Sequence, residues 1–209
     1  MNKVNKYLFI VLILLTSQSV TAEVALKFTE LKARLDKEVP SILKKHNAPG
    51  MALAFVKGDK LLGFLPYSYA NVKRKTLIDE TPMVYFAESA AAGLQTTAVD
   101  LARFTMAILR NKTGKYNGEQ ILAASFIDNM IVPAPNTDGN WSMSYIIDEE
   151  NQNLGFAGFN RGWIAATRSM IDKNIGYVIL ANSSMSSPMR ELDNLVKKLL
   201  KYQGVVDIE

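Results

Sequence analysis

Three short stretches carry side chains whose types and order suit acyl transfer: Ser41-Ile-Leu-Lys44, Tyr69-Ala-Asn71 and Lys112-Thr113-Gly114. A Ser and a Lys one helical turn apart share a face, so the amine can take the hydroxyl proton as the oxygen attacks a carbonyl carbon. A Tyr oxygen can relay that proton, and a cation on a strand can hold a substrate carboxylate. Together these residues would make a serine hydrolase built on Ser41, Lys44 and Tyr69.

The surroundings of each stretch argue for simpler roles. Ser41 directly follows Pro40 in a helix rich in charged residues, and reads as a surface position. Tyr69 falls in a segment of weak periodicity, read as loop. Lys112 and Gly114 follow a helix, where Lys and Gly are expected stop residues. His46 is the only imidazole. It stands at a helix end, where a cation suits the dipole, so capping or solvation is its expected role. Nothing places a Ser beside it for a Ser-His-Asp triad. With one His and no Cys, thiol catalysis, thiolate metal sites and His-cluster metal sites are excluded.

The elements that must position these residues follow from periodicity. Phe28, Leu31, Leu35, Val39, Ile42 and Leu43 recur at helical spacing over 24–46. Pro40 is expected to kink or split that helix, and Asn47-Ala48-Pro49-Gly50 to stop it. Met51–Val56 reads as a strand, Lys57–Lys60 as a turn and Leu61–Phe64 as the returning strand. Leu65 to Phe86 reads as loop. Thr97-x-x-Asp100 is a capping box before a helix to about Arg110, with Leu101, Phe104 and Ile108 inward. Residues 123–131 form a further helix, stopped near Pro133 and Pro135. Strands are expected at 142–148, 154–158, 161–170 and 175–182. Ser186 or Ser187 caps a last helix whose apolar face is Leu192, Leu195, Val196 and Leu199. The class is α+β, an antiparallel sheet with N- and C-terminal helices packed on it.

The chain has 209 residues and a net charge of +4. Lys3 and Lys6 precede an apolar run from Tyr7 to Leu15, and Val20-Thr21-Ala22 follows. The run is shorter than the roughly 20 residues of a spanning helix, so 1–22 reads as a signal peptide cleaved near Ala22. An exported protein, periplasmic or secreted, is expected, with no stable membrane span and with 23–209 as one domain. Loss of the two signal lysines leaves a weak charge without a basic run, which argues against nucleic acid as a partner.

Three blocks resemble the serine β-lactamase and penicillin-binding-protein family, in the branch related to class C. Ala48-Pro49-Gly50 through Lys60 resembles its opening Pro-Gly strand. Ala91-Ala92-Gly93-Leu94 with Thr96-Thr97-Ala98-Val99-Asp100-Leu101-Ala102-Arg103-Phe104 resembles its Ala-Gly-Gly-Leu and Ser-Thr-Ala-x-Asp-Leu-Ala-x-Phe segment. Gly155-Phe156-Ala157-Gly158-Phe159 with the run to Asn182 resembles its active-site strand. There the family has His-x-Gly or Lys-Thr-Gly, and this chain has Phe156 at the cationic position. The resemblance further implies that the N–H of Phe159 would be one oxyanion-hole donor. It also implies that a helical lobe carrying Ser-x-x-Lys and Tyr-x-Asn belongs between the first hairpin and the Ala-Gly-Leu block.

That lobe cannot fit between Phe64 and Ala91, so an internal deletion with a junction near 63–66 is inferred, leaving a β-lactamase/transpeptidase-like remnant. Ser41 and Lys44 precede the first strand, whereas the family nucleophile follows it. One oxyanion donor without a nucleophile stabilises no tetrahedral intermediate. The expectation is a serine-hydrolase-like protein without acyl-transfer activity, its catalytic set empty and Phe156, Gly158 and Phe159 the remnant of the active-site strand. Gly158 and Gly162 are read as places of close backbone approach and turning. Trp141, Tyr145 and Trp163 either line a groove or pack in the core, with packing expected. By resemblance the ligand classes are a cell-wall peptide, a β-lactam or a small ester, with no metal or organic cofactor. Apolar surface bared by the missing lobe points to a partner or a homodimer, and a non-catalytic envelope binding module is the alternative.

Overall fold

The computed structural model describes residues 27–79, 94–109, 115–116, 119–137, 141–142, 145–148, 153–171 and 173–202. Residues 1–22, read above as a signal peptide, most of the Ala91–Leu94 motif and Lys112-Thr113-Gly114 lie outside them.

Helix α1 spans 27–45 and runs unbroken past Pro40, where a kink or split was expected. Leu31, Leu35, Val39, Ile42 and Leu43 are buried in one cluster, so both halves of the helix press on the same core. That packing offsets the one backbone hydrogen bond Pro40 cannot donate. Asn47 (φ 51°) ends the helix in the left-handed conformation. The Ala48 N–H donates to Leu43 O at 2.9 Å and the Asn47 N–H to Lys44 O at 3.3 Å, a Schellman stop.

Strand β1 (Gly50–Lys57) returns as β2 (Lys60–Asn71), with β3 (Thr76–Leu77) beyond it. Helix α2 (Ala98–Leu109), the short pair β4 (Lys115–Tyr116) and β5 (Glu119–Gln120), and α3 (Ala124–Ile131) follow. The rest of the sheet is β6 (Ile146–Asp148), β7 (Asn153–Asn160), β8 (Trp163–Met170) and β9 (Ile175–Ala181), and α4 (Ser187–Tyr202) closes the described chain. Seven antiparallel strands lie in the order β3-β2-β1-β9-β8-β7-β6.

Side chains alternate between the two faces of the central strands. Met51, Leu53, Phe55, Tyr177 and Ile179 face α1 and α4. Ala52, Ala54, Val178 and Leu180 face Ala98, Ala102, Met106 and Leu109 of α2. The fold is therefore α+β, with helices on both faces of an antiparallel sheet.

Several expectations need correction. Residues 65–71 are strand, not loop: β2 pairs with β1 in register from Ala52↔Pro66 to Gly50↔Ser68. Proline tolerates this because β3 covers β2 only at Tyr69 and Asn71, so no ladder bond is asked of residue 66 on the outer side. The 63–66 stretch is thus strand interior, and the connection from sheet to α2 begins after β3, at Leu77. Helix α2 is capped as expected, the Asp100 N–H donating to Thr97 Oγ1 at 2.9 Å. Its buried face is rotated, however: Ala102, Thr105, Met106 and Leu109 are buried with Ile108, while Phe104 is exposed. Small residues let the helix approach Gly176 closely; a Cβ there would stand 2.7 Å from Thr105 Cγ2. Of the expected strand 142–148, residues 146–148 are strand, while Ser142 and Tyr145 are not, the Ser142 N–H bonding Tyr145 O at 2.8 Å; residues 143 and 144 lie outside the described ones.

Candidate functional site

Strand β7 carries the segment singled out in the sequence. β6 pairs only with Asn153–Gly155, so Phe156–Asn160 has β8 on one side and, among the described residues, no strand on the other. Phe156 and Phe159 lie on opposite faces of this open half and are 50% and 68% exposed. Among the described residues the main chain there is an uncovered sheet edge, the kind to which an extended partner can add, although Phe156 O already accepts from Arg168 Nη1 at 3.4 Å. Gly162 (φ 92°) makes the β7–β8 turn, its N–H donating to Ser184 Oγ at 2.9 Å. Gly158 does not mark a close approach: a Cβ would meet only Phe156, at 3.7 Å.

The other candidates do not converge on this edge. Ser41 and Lys44 are exposed on the outer side of α1, and no hydrogen bond joins them among the described residues. Tyr69 lies on β2, four strands from β7 in the sheet. At about 4.8 Å per strand that is roughly 19 Å, far beyond the 2.6–3.2 Å reach of a proton relay. Tyr69 contributes through its backbone: its N–H bonds Pro49 O at 3.0 Å, and its carbonyl accepts from Asn182 Nδ2 at 2.7 Å. His46 is neither a simple cap nor solvated. Its Nε2 lies 2.7 Å from Glu191 Oε2, which also takes Lys45 Nζ at 2.8 Å, tying the end of α1 to α4. Those hydrogen bonds, from Lys45 first and then His46, hold the Glu191 carboxyl below the usual range.

The Pro49-Gly50 block has a steric reason. A Cβ on residue 50 would stand 2.5 Å from Tyr69 O and 2.8 Å from Tyr67 O, so only glycine lets β2 pass so close. Asn182, at the far end of the resembling run, bonds Tyr69 O and also Ala70 O at 3.1 Å. These two blocks thus meet at one end of the sheet and fasten β1, β2 and β9 together.

Sequence reasoning missed a polar cluster beneath α4. Arg168 donates through Nε and Nη2 to Asp193 Oδ2 at 3.2 and 2.7 Å, and Tyr177 OH donates to Asp193 Oδ1 at 2.7 Å. Burial, and then the Asp193 charge, push the Tyr177 hydroxyl far above the usual tyrosine range, so it stays a donor. One signal was present: Met189, Leu192, Asp193, Val196, Leu199 and Leu200 share one helical stripe, which puts an acid on the buried side.

Of the aromatics, Tyr145 packs in the core as expected, and burial pushes its hydroxyl up to about 12. Trp163 is half-buried, and Trp141 departs from the expectation at 47% exposed, bridging Ile146 at the sheet edge. Among the described residues no His, Asp and Glu group is arranged to hold a metal, and no helix is long and apolar enough to cross a membrane.

No family model and no curated protein matches the sequence. Solved structures do match the fold. SurE with D-Leu superposes with a TM-score of 0.65 at 11% identity, over 86% of this chain and 77% of that one. A class C β-lactamase gives 0.57 at 11%, over 82% and 96%. The D-alanine carboxypeptidase AmpC from Burkholderia cenocepacia gives 0.58 at 11%, over 83% and 99%. At such identities the likeness is one of architecture: the chain has a β-lactamase/transpeptidase-like fold.

Proposed function

We propose that the chain is an exported, β-lactamase-related, serine-hydrolase-like protein without acyl-transfer activity. The observation that carries this reading is that its hydroxyl and amine candidates are not assembled into a reacting set. Ser41 and Lys44 are exposed and unlinked on α1, Tyr69 is four strands away, and Phe156 brings no charge to the edge. A nucleophile works only within bonding reach of its base and of the donors that receive the oxyanion. Incubation with a fluorescent penicillin and with a fluorophosphonate is the test, read by intact mass. The expected result is no adduct; an adduct that disappears in Ser41→Ala would overturn the reading. Export is tested by N-terminal sequencing of the mature protein, expected to begin at Glu23.

A second reading, a binding module of the cell envelope, is favoured by the open half of β7. An extended peptide can add to a free edge through main-chain hydrogen bonds, with alternate side chains setting preference. Phe156 and Phe159 would supply apolar contact on the two faces. The proposed occupants are a cell-wall peptide, of the chemistry that the carboxypeptidase neighbour's name carries, or a strand of a second copy. Hydrogen exchange is expected to slow at 156–160 when muropeptides are added. A single monomeric light-scattering peak with no binding of an apolar dye removes the homodimer, and unchanged exchange removes the peptide.

A further inference from the structure

One end of the sheet gathers cations that lie far apart in the chain. β1, β9, β8 and β7 begin or finish level with one another there: Met51 and Ile164 both stand across from Ala181, and Trp163 stands across from Asn160. β2 runs on past Ser68, which stands across from Gly50, so the β2–β3 turn projects from this end. It carries Lys73, Arg74 and Lys75, and the Lys75 N–H closes it on Val72 O at 3.3 Å. Three cations in a row fall short of a basic segment in the sequence. The fold enlarges the group. The β7–β8 turn adds Arg161, the last turn of α1 adds Lys44, and the first turn of α4 adds Arg190. All are exposed, and none has an ion pair among the described residues.

Carboxylates do not balance them. Glu191 already takes Lys45 and His46, and Asp100 takes Arg103. Asp79 follows β3. The sequence from 80 to 93 holds two more, Glu80 and Glu88, and no cation. With all of these counted at this end, positive charge is still in surplus. The acidic stretch 148–150 adjoins Asn153, at the opposite end of β7.

Apolar side chains stand on the same projections. Val72 opens the β2–β3 turn, and Phe159 precedes the β7–β8 turn. Met185 lies in the loop from β9 to α4, which the Gly162 N–H ties to the β7–β8 turn through Ser184 Oγ. Each of the three is more than half exposed. The two turns lie three to four strand spacings apart, roughly 14–19 Å. Asn182 Nδ2, bonded to Tyr69 O and Ala70 O, braces the base of the first turn against the end of β9.

We propose that this end of the molecule docks on the surface of an anionic lipid bilayer. The cations meet headgroup phosphates, and Val72, Phe159 and Met185 enter the boundary with the acyl chains. Convex turns cannot enclose a small ligand, whereas a bilayer yields around them. A soluble polyanion would use the cations and leave the apolar tips in water, so lipid is the better match. The contact is peripheral: among the described residues no helix is long and apolar enough to cross a membrane.

The test is flotation of the exported protein, its N-terminus established as above, with vesicles of phosphatidylcholine alone and with phosphatidylglycerol added. Binding is expected to be about tenfold or more tighter with phosphatidylglycerol, and to weaken as salt screens the charges. Each cation near such a surface strengthens binding about fivefold, so the triple variant Lys73→Gln, Arg74→Gln, Lys75→Gln should lose about twentyfold or more. Those residues lie in an exposed turn, so its Tm should not change. Phe159→Ser should also weaken binding to vesicles, without changing binding to soluble polyphosphate. Lys60→Gln, Lys173→Gln, Lys198→Gln removes the same charge at the opposite end and should bind as the wild type does. Equal binding to both kinds of vesicle, equal loss in the two triple variants, or indifference to Phe159→Ser overturns the proposal. Polyphosphate bound as tightly as vesicles overturns it as well, and assigns the surface to a soluble polyanion. The proposal does not rest on the β7 edge, whose peptide is read by exchange at 156–160.

Discussion

Tyr177 OH donates to Asp193 Oδ1 across 2.7 Å, and this contact adds a polar tie to the apolar packing between the middle strand of the sheet and the last helix. Asp193 is buried and takes Arg168 on its other oxygen. Tyr177→Phe should leave that oxygen short of a donor and cost about 1–3 kcal/mol. Asp193→Ala leaves the Arg168 guanidinium uncompensated and should cost more, about 3–5 kcal/mol. Urea unfolding of the three proteins gives both differences; equal stabilities would mean that the cluster fastens nothing.

Glu191 predicts an acid dependence. Its folded pKa is depressed by Lys45 and His46, so the stability it contributes is present above its unfolded value near 4.5 and is lost as pH falls through the folded value. Because the pair is exposed to solvent, the effect is small and shrinks in salt. Thermal melts of the wild type and Glu191→Gln should differ near neutral pH and coincide in acid. A gap that persists below pH 3 would assign the difference to packing.

Tyr145 predicts the opposite limb. Burial raises its pKa to about 12, so the neutral phenol favours the folded state. That contribution is complete below about 10, the unfolded value, and disappears as pH rises through 12. Absorbance titration should show several tyrosinates forming late, those of Tyr145, Tyr67 and Tyr177, together with loss of structure, and Tyr145→Phe should remove the earliest of them. Tyr145→Phe should be more stable than the wild type above pH 10.

Gly176→Ala should be costly although the residue sits in an ordinary strand conformation. The added Cβ would press on Thr105 Cγ2 at 2.7 Å and Leu109 Cδ1 at 3.0 Å, both on α2. Overpacking of this kind costs about 1–3 kcal/mol. Gly176→Ala combined with Thr105→Ser, which removes the offending methyl, should recover part of the loss.

How much of this was legible in the sequence depended on whether the signal was local. Asn47-Ala48-Pro49-Gly50 announced the end of α1, and Thr97-x-x-Asp100 announced α2, because capping acts within a few residues. β8 and β9 were read nearly to their ends from apolar runs. β2 was not, since Pro66 and the polar residues after Tyr67 look like loop unless the edge position of the strand is known. The phase of α2 failed for a similar reason: the inward face was chosen by bulk, while the close approach of α2 to Gly176 selects Ala102 and Thr105. Arg168 and Asp193 stand 25 positions apart, and no pattern along the chain pairs them. At the candidate site, the Phe156 substitution was plain in the sequence, but the open half of β7 depends on where β6 stops.

The pairing of β1 with β9 joins Met51 to Ala181. A chain still leaving the ribosome has no neighbour for the inner side of its first strand until almost the whole polypeptide has emerged. Closing so large a loop comes late, and contacts of such separation slow folding. Assembly of this sheet is therefore an event that follows synthesis, and a nascent chain stopped before residue 175 should remain sensitive to protease throughout the β1–β2 hairpin.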